Sequence, residues 1–407
     1  MPLLPPSAGG DARRLMLTRS LRGFADGLAS LVLASYLPRL GMSAFAVGAI
    51  VTATLLGSAA LTLAVGLVGH RLRRRTVLFA MAGLSIATGL AFAGLTSFWP
   101  LLIAGVIGTL NPSAGDVTPF LPTEQAVLAD VSDARDRTAI FAWYNLAGAG
   151  AGALGALAAG LPGPIAHALG VEVGIVERYA FLVYALIGAA ILVLYRGVSA
   201  SVELPVGKTR TALAKSRRTV LELSALFSLD SFGGGFVVQS LLVLWLHRRF
   251  GLASGTTATI FFVTGLLAAG SQLASARLAA RIGHVRTMVF THLPSNLFLV
   301  AAGLMPSAPL AVAFILLRMA VSQMDVPARQ AYVMSVVPPE ERPAAASVTN
   351  VPRSLAAAVS PLLAGALLDR TTFGWPLLIG GALKVVYDLA LFRRFAARPA
   401  DEGRRQG

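Results

Sequence analysis

A chain of 407 residues that is 56% hydrophobic and 13% charged, with a mean hydropathy of +0.72, does not read as soluble, since soluble domains carry about 25% charged residues. Its net charge of +15 would suggest nucleic acid in a soluble protein. Here the charge lies in short Arg clusters between long uncharged stretches, as the positive-inside rule leaves it, so no nucleic-acid partner is expected. The absence of cysteine excludes disulfides, thiolate metal sites and thiol catalysis.

The N-terminal MPLLPPSAGGDARR lacks the apolar core and cleavage site of a signal peptide. Hydropathy then predicts membrane-spanning helices near 20–40, 44–69, 76–95, 98–130, 138–162 and 178–197. A second set follows near 219–247, 253–280, 287–306, 308–335, 344–368 and 374–395. The fourth and tenth exceed a bilayer, so their far ends are expected to project into the cytoplasm. The fold class is therefore an all-α membrane protein of twelve transmembrane helices in two pseudo-symmetric six-helix bundles. The first bundle is 1–197, 198–218 is a basic cytoplasmic linker, and 219–407 is the second bundle with a short cytoplasmic tail.

Arg and Lys set the orientation. One side receives Arg13, Arg14, Arg19 and Arg22, then Arg71, Arg73, Arg74 and Arg75, then Arg135, Arg137 and Arg196. It also receives Lys208, Arg210, Lys215, Arg217 and Arg218, Arg277, Arg281, Arg286 and Arg342, and the tail Arg393, Arg394, Arg398, Arg404 and Arg405. The other side has Arg39, Arg178, Arg248, Arg249 and Arg370. This asymmetry places both termini in the cytoplasm.

The halves repeat each other. PTEQAVLADVSDARDRTAIFAWYNLAG (122–148) aligns without a gap to PARQAYVMSVVPPEERPAAASVTNVPR (327–353). At a constant offset of 205, Pro122 matches Pro327, Gln125 matches Gln330, Ala126 matches Ala331, Arg137 matches Arg342, Asn145 matches Asn350, and Gly160 matches Gly365. Parallel six-helix repeats joined by a basic loop are one transporter architecture.

Across essentially its whole length the chain resembles the major facilitator superfamily. That family's signature lies between helices 2 and 3, where this sequence has GLVGHRLRRR (66–75): Gly66, Arg71, Arg74 and Arg75 fit, while His70 replaces the acid and Arg73 the second Gly. The loop between helices 8 and 9, ARLAARIGHV (276–285), keeps Arg281 and Gly283 and also lacks the acid. In the family that acid helps lock the outward-facing state, so the resemblance does not carry this role over. NLAGAGAGALGALAAGLPGP (145–164) loosely resembles the Gly/Pro pattern of drug:proton antiporters, and its small residues also suit backbone-to-backbone helix packing.

The resemblance implies a central cavity lined by helices 1, 4, 7 and 10. Helix 4 carries GTLNPSAGDVTPFLPTEQA (108–126), where Pro112 and Pro122 can loosen the backbone. Thr109, Ser113 and Asp116 fall there at i, i+4 and i+7, with Asn111 between them. Arg318, Ser322, Asp325 and Arg329 fall at i, i+4, i+7 and i+11 on helix 10. These stripes serve either as a translocation path or as a polar seam holding helices together. Arg318 and Arg353 either bind an anionic substrate group or neutralise Asp116 or Asp325. The repeat pairs Glu124 with Arg329, candidates for an inward gate unless each pairs within its own half, as Arg329 would with Asp325.

Asp26 on helix 1 lies about 9 Å into the membrane at 1.5 Å per residue. It and Asp116 are the candidates for proton coupling, a role that some antiporters of the resembled superfamily give to a helix-1 acid; for Asp26 the alternative is a salt bridge to Arg22. Asp230 looks like the repeat mate of Asp26, but it precedes Trp245 by fifteen residues where Asp26 precedes Tyr36 by ten. Lys384 and Asp388, at i and i+4, are expected to pair with each other. The histidines show no metal-ligand spacing, so no metal is expected. No cofactor is expected either, since a Walker-type nucleotide motif is absent.

The expected function is a secondary active transporter of a small molecule, proton-coupled and exporting. The alternative is an importer or facilitator, or a non-transporting sensor. Membrane lipid, a small-molecule substrate and protons are the expected partners of a monomer. No HExxH or GxSxG motif supports an enzyme. Short loops and the lack of an organelle-targeting segment suggest a bacterial inner-membrane protein.

Overall fold

A computed structural model describes residues 9–68, 72–111, 118–130, 137–199, 202–203, 216–338 and 341–395. The described residues are almost wholly helical: α1 (Gly10–Arg39), α2 (Ala44–Val68), α3 (Arg74–Gly94), α4 (Phe98–Ile107), α5 (Leu121–Asp130), α6 (Arg137–Ala158), α7 (Pro162–Leu169) and α8 (Val173–Arg196). Then come α9 (Arg217–Gly235), α10 (Gln239–Phe250), α11 (Ser254–Ile282), α12 (His284–Leu304), α13 (Ala308–Ser322), α14 (Asp325–Ser335), α15 (Arg342–Arg370) and α16 (Trp375–Phe395).

Ten stretches of the described chain are long and apolar enough to cross a membrane. The other two expected spans are α1, whose first turns carry charge, and the fourth, which is divided into α4 and α5. Large side chains such as Trp99, Leu186, Val193 and Leu273 are more than half exposed on these helices, as lipid-facing residues are.

Three expected spans are interrupted. The fourth stops at Ile107 and resumes at Leu121; the seventh stops at Gly235 and resumes at Gln239; the tenth stops at Ser322 and resumes at Asp325. Proline explains where two of them restart. Pro122 and Pro327 fall in the first turns of α5 and α14, where an N–H has no helical partner to lose. Irregular backbone at membrane depth is tolerated only where protein or a water-filled cavity surrounds it.

The chain groups into two compact units, Met1–Gly207 with Val238–Gly265, and Lys208–Val237 with Leu266–Gly407. The seventh span is thus shared: α9 belongs to the second unit and α10 to the first. In the first unit α1 and α6 meet backbone to backbone. A Cβ placed on Gly23, Gly27 or Gly155 would strike the carbonyl oxygen of Gly148, Gly152 or Phe24 respectively. The small-residue run in α6 therefore has a packing cause that needs no substrate. Leu15, Phe120, Tyr144 and Tyr195 lie in this unit's core; Phe227, Met288, Tyr332 and Tyr387 lie in that of the second.

Candidate functional site

Each unit buries one cluster of charged and polar side chains. In the first, Arg22 of α1 grips Glu124 of α5 through two parallel bonds, Nη1–Oε1 at 2.7 Å and Nη2–Oε2 at 2.6 Å. Thr18 donates to Oε1 at 2.8 Å and Tyr195 to the same oxygen at 2.5 Å, while Tyr144 donates to Oε2. The guanidinium also lies over Phe120, 4.4 Å from the ring centroid. Glu124 thus takes five hydrogen bonds, and the bidentate geometry suits Arg specifically.

Asp26 lies one turn beyond Arg22 and is 7% exposed. Arg22 is committed to Glu124, and Asp26 has no ion pair within 4.0 Å among the described residues. Thr109 lies past the end of α4 rather than on it. Its hydroxyl meets Ser85 at 2.8 Å and Tyr184 at 3.3 Å, and its N–H donates to Thr88 at 3.2 Å. The helical face expected for Thr109, Ser113 and Asp116 is therefore not formed at Thr109; Ser113 and Asp116 lie outside the described residues. Asn111 is buried.

In the second unit the cluster spans four helices. Asp230 of α9 receives Lys384 Nζ of α16 at 2.6 Å and Arg329 Nη1 of α14 at 3.4 Å. Arg329 also reaches Asp325 at 3.3 Å and packs over the Phe227 ring, 5.5 Å from its centroid. His292 of α12 places Nδ1 2.9 Å from Asp388 Oδ1 and Nε2 3.6 Å from Asp230 Oδ1. Asn296, one turn on, donates to Asp388 Oδ2 at 2.8 Å. Lys384 and Asp388 thus take separate partners instead of pairing with each other. Asp388 is claimed by two α12 side chains that no local spacing in α16 could reveal.

Of the remaining predicted residues, Arg318 donates from Nη1 to the Met319 sulfur at 3.3 Å, and Ser322 reaches the same sulfur at 3.6 Å. Arg353 Nε donates to the Ser231 hydroxyl at 2.8 Å. Glu124 and Arg329, matched by the repeat, each take the partners just given within their own unit. In the loop motif, Arg74 and Arg75 sit at the start of α3, where their N–H groups donate to Glu203 at 2.8 and 3.1 Å. An acid from the linker region thus caps a helix start whose loop has His70 in place of the motif acid. Gly283 takes φ +83° at the turn into α12, which accounts for glycine there, and Arg281 is exposed. Gly66 lies within α2, and Arg71 lies outside the described residues.

The two clusters correspond with opposite sign. Gly148 and Arg353 are 205 residues apart, and each faces the residue that follows a buried charge: Gly23 after Arg22, and Ser231 after Asp230. Arg22 on Glu124 is therefore answered by Asp230 on Arg329. This resolves the count that set Asp230 apart from Asp26. Arg22 precedes Tyr36 by fourteen residues and Asp230 precedes Trp245 by fifteen, the extra residue falling in the span where 236–238 interrupt the helix.

Apolar helices long enough to cross a membrane, in two units that each bury charged side chains, define a polytopic membrane protein. The chain belongs to the Major Facilitator Superfamily, whose family model matches residues 15–322 and 231–407. An uncharacterised membrane protein of Saccharomyces cerevisiae is 27% identical over 422 residues, covering 94% of each chain. Among solved structures, that of the nucleoside transporter NupG is similar with a TM-score of 0.73 at 14% identity, covering 94% of this chain and 99% of that one. The D-xylose-proton symporter gives 0.72 at 15% identity, covering 94% and 98%. The human organic anion transporter MFSD10 gives 0.64 at 19% identity, covering 95% and 100%. These structural likenesses establish the fold.

Proposed function

We propose that this protein is a proton-coupled secondary transporter that exports a small molecule by alternating access. The observation that carries the reading is Asp26, a carboxylate buried within α1, with Arg22 one turn away already held by Glu124. A carboxylate is retained at such depth when it faces a cavity or carries a proton. The interruptions in the fourth, seventh and tenth spans support it, since broken helices mark binding sites in transporters of this architecture. Asp116 is the second coupling candidate. Thr109, Asn111, Ser113, Ser322 and Asp325 are the candidate lining, and Arg318 and Arg353 are the candidates to meet an anionic substrate group. The Arg asymmetry supports cytoplasmic termini; a bacterial inner membrane and a monomeric state belong to the same proposal.

Energised inside-out vesicles with a pH-sensitive dye test this reading, with cationic, neutral and anionic compounds added singly to wild type and Asp26→Asn. Proton efflux evoked by one compound class and lost in Asp26→Asn is the expected result. A response that survives the substitution removes Asp26 from coupling, and silence across the panel removes export.

A further inference from the structure

The charge in the first unit is held by groups that do not exchange protons near neutral pH: one Arg, two Tyr and one Thr surround Glu124. The corresponding place in the second unit contains an imidazole. We infer that His292, set between Asp388 and Asp230, is a reversible proton-binding site in the second unit, distinct from Asp26. This rests on the proton-coupled reading for its role in transport, but not for its existence.

A neutral imidazole has one N–H and one lone pair, whereas an imidazolium has two N–H donors. Both ring nitrogens of His292 face a carboxylate, Asp388 at 2.9 Å and Asp230 at 3.6 Å. With one proton the ring donates to one carboxylate and turns a lone pair toward the other. With two it donates to Asp388 and turns an N–H toward Asp230 at ion-pair distance. The surroundings tolerate either state. Three carboxylates (Asp230 of α9, Asp325 of α14, Asp388 of α16) face two cations within 4.0 Å (Arg329 of α14, Lys384 of α16). The cluster thus carries one negative charge with a neutral ring and is neutral with an imidazolium. Neither state needs an isolated buried charge larger than one unit. Tyr387 packs edge-on against the ring at 5.8 Å and holds it between the two acids.

Protonation here also bears on helix packing. Asp230 sits on α9, five residues before the helix ends at Gly235, and His292 links it across α12 to α16. Loss of the proton exchanges an attractive contact for a lone pair facing a carboxylate. The α9–α12 link, the longer of the two at 3.6 Å, is the one that loosens.

The chain has five histidines. The test replaces four of them (His70→Gln, His167→Gln, His247→Gln and His284→Gln) in the full-length protein, leaving the His292 imidazole as the one signal. ¹⁵N spectra of the histidine-labelled protein in lipid nanodiscs, titrated with acid and base alone from pH 5 to 9, show a single reversible protonation step. In the same background Asp388→Asn removes one acceptor and lowers the ring's proton affinity by about tenfold. A ring that keeps one protonation state throughout, or a midpoint that Asp388→Asn leaves unmoved, overturns the inference. Transport separates this from the function proposed above. If wild type shows no proton-linked transport while His292 still titrates, the coupled-export reading fails and the proton site stands.

Discussion

Replacing Glu124 with Gln keeps the shape of the side chain and removes its charge, which leaves Arg22 buried without a counter-ion. Both oxygens of Glu124 are paired to Arg22, at 2.7 and 2.6 Å, and the glutamate is fully buried. Breaking a buried pair from one side costs about 3–5 kcal/mol, because the remaining charge keeps its desolvation penalty without compensation. For a unit of this size 1 kcal/mol moves the melting midpoint by roughly 2–4 °C, so Glu124→Gln and Arg22→Met should each lower it by roughly 6–20 °C. The double variant Arg22→Met/Glu124→Gln leaves no orphan charge, though the amide keeps one acceptor oxygen where Tyr144 and Tyr195 each had their own, which costs about 1–3 kcal/mol. Its midpoint should therefore fall by clearly less than the sum of the two single losses. Aggregation onset of the purified protein in detergent, read by size-exclusion chromatography after heating, measures all four corners of the cycle. Additive losses, or single variants that melt with wild type, would refute the claim that Arg22 and Glu124 form one coupled buried unit.

Two further outcomes follow from the packing. Gly27→Ala forces α1 away from α6 and should abolish recovery of monodisperse protein, whereas Gly83→Ala and Gly150→Ala, whose added Cβ meets nothing within 4 Å, should be recovered at wild-type yield. Thr109→Val keeps the shape of the side chain but removes the hydroxyl shared by Ser85 and Tyr184; it should cost about 1–3 kcal/mol, seen as a lowered melting midpoint.

The number and order of the spans were legible because lipid demands long apolar runs, and 407 residues supplied them with little interruption. The breaks were less so. The stretch FGGGFVV around the seventh-span interruption is apolar throughout, and hydropathy carries straight across it. Pro122 and Pro327 did mark two of the restarts, one repeat apart; first-turn proline is the signal that a continuous-helix reading passes over. The clusters show the same division. Arg329 with Asp325 is an i, i+4 pair that spacing alone exposes, and it forms. His292 with Asp388 joins residues 96 apart, and Arg22 with Glu124 joins residues 102 apart. Such partners become neighbours only through tertiary packing, so sequence could nominate the buried charges without telling which charge meets which.

The Arg22–Glu124 pair also sets a problem of order during synthesis. The first helix emerges carrying Arg22 and Asp26, and it is not among the stretches apolar enough to cross a membrane by composition. Its counter-ion is encoded 102 residues later. At about 5–20 residues per second, that glutamate arrives roughly 5–20 s after the arginine. Its glycine-lined partner α6 is translated later still. For that interval α1 has neither its charge partner nor the backbone it packs against. Its final packing is settled only once the fourth and fifth spans are made.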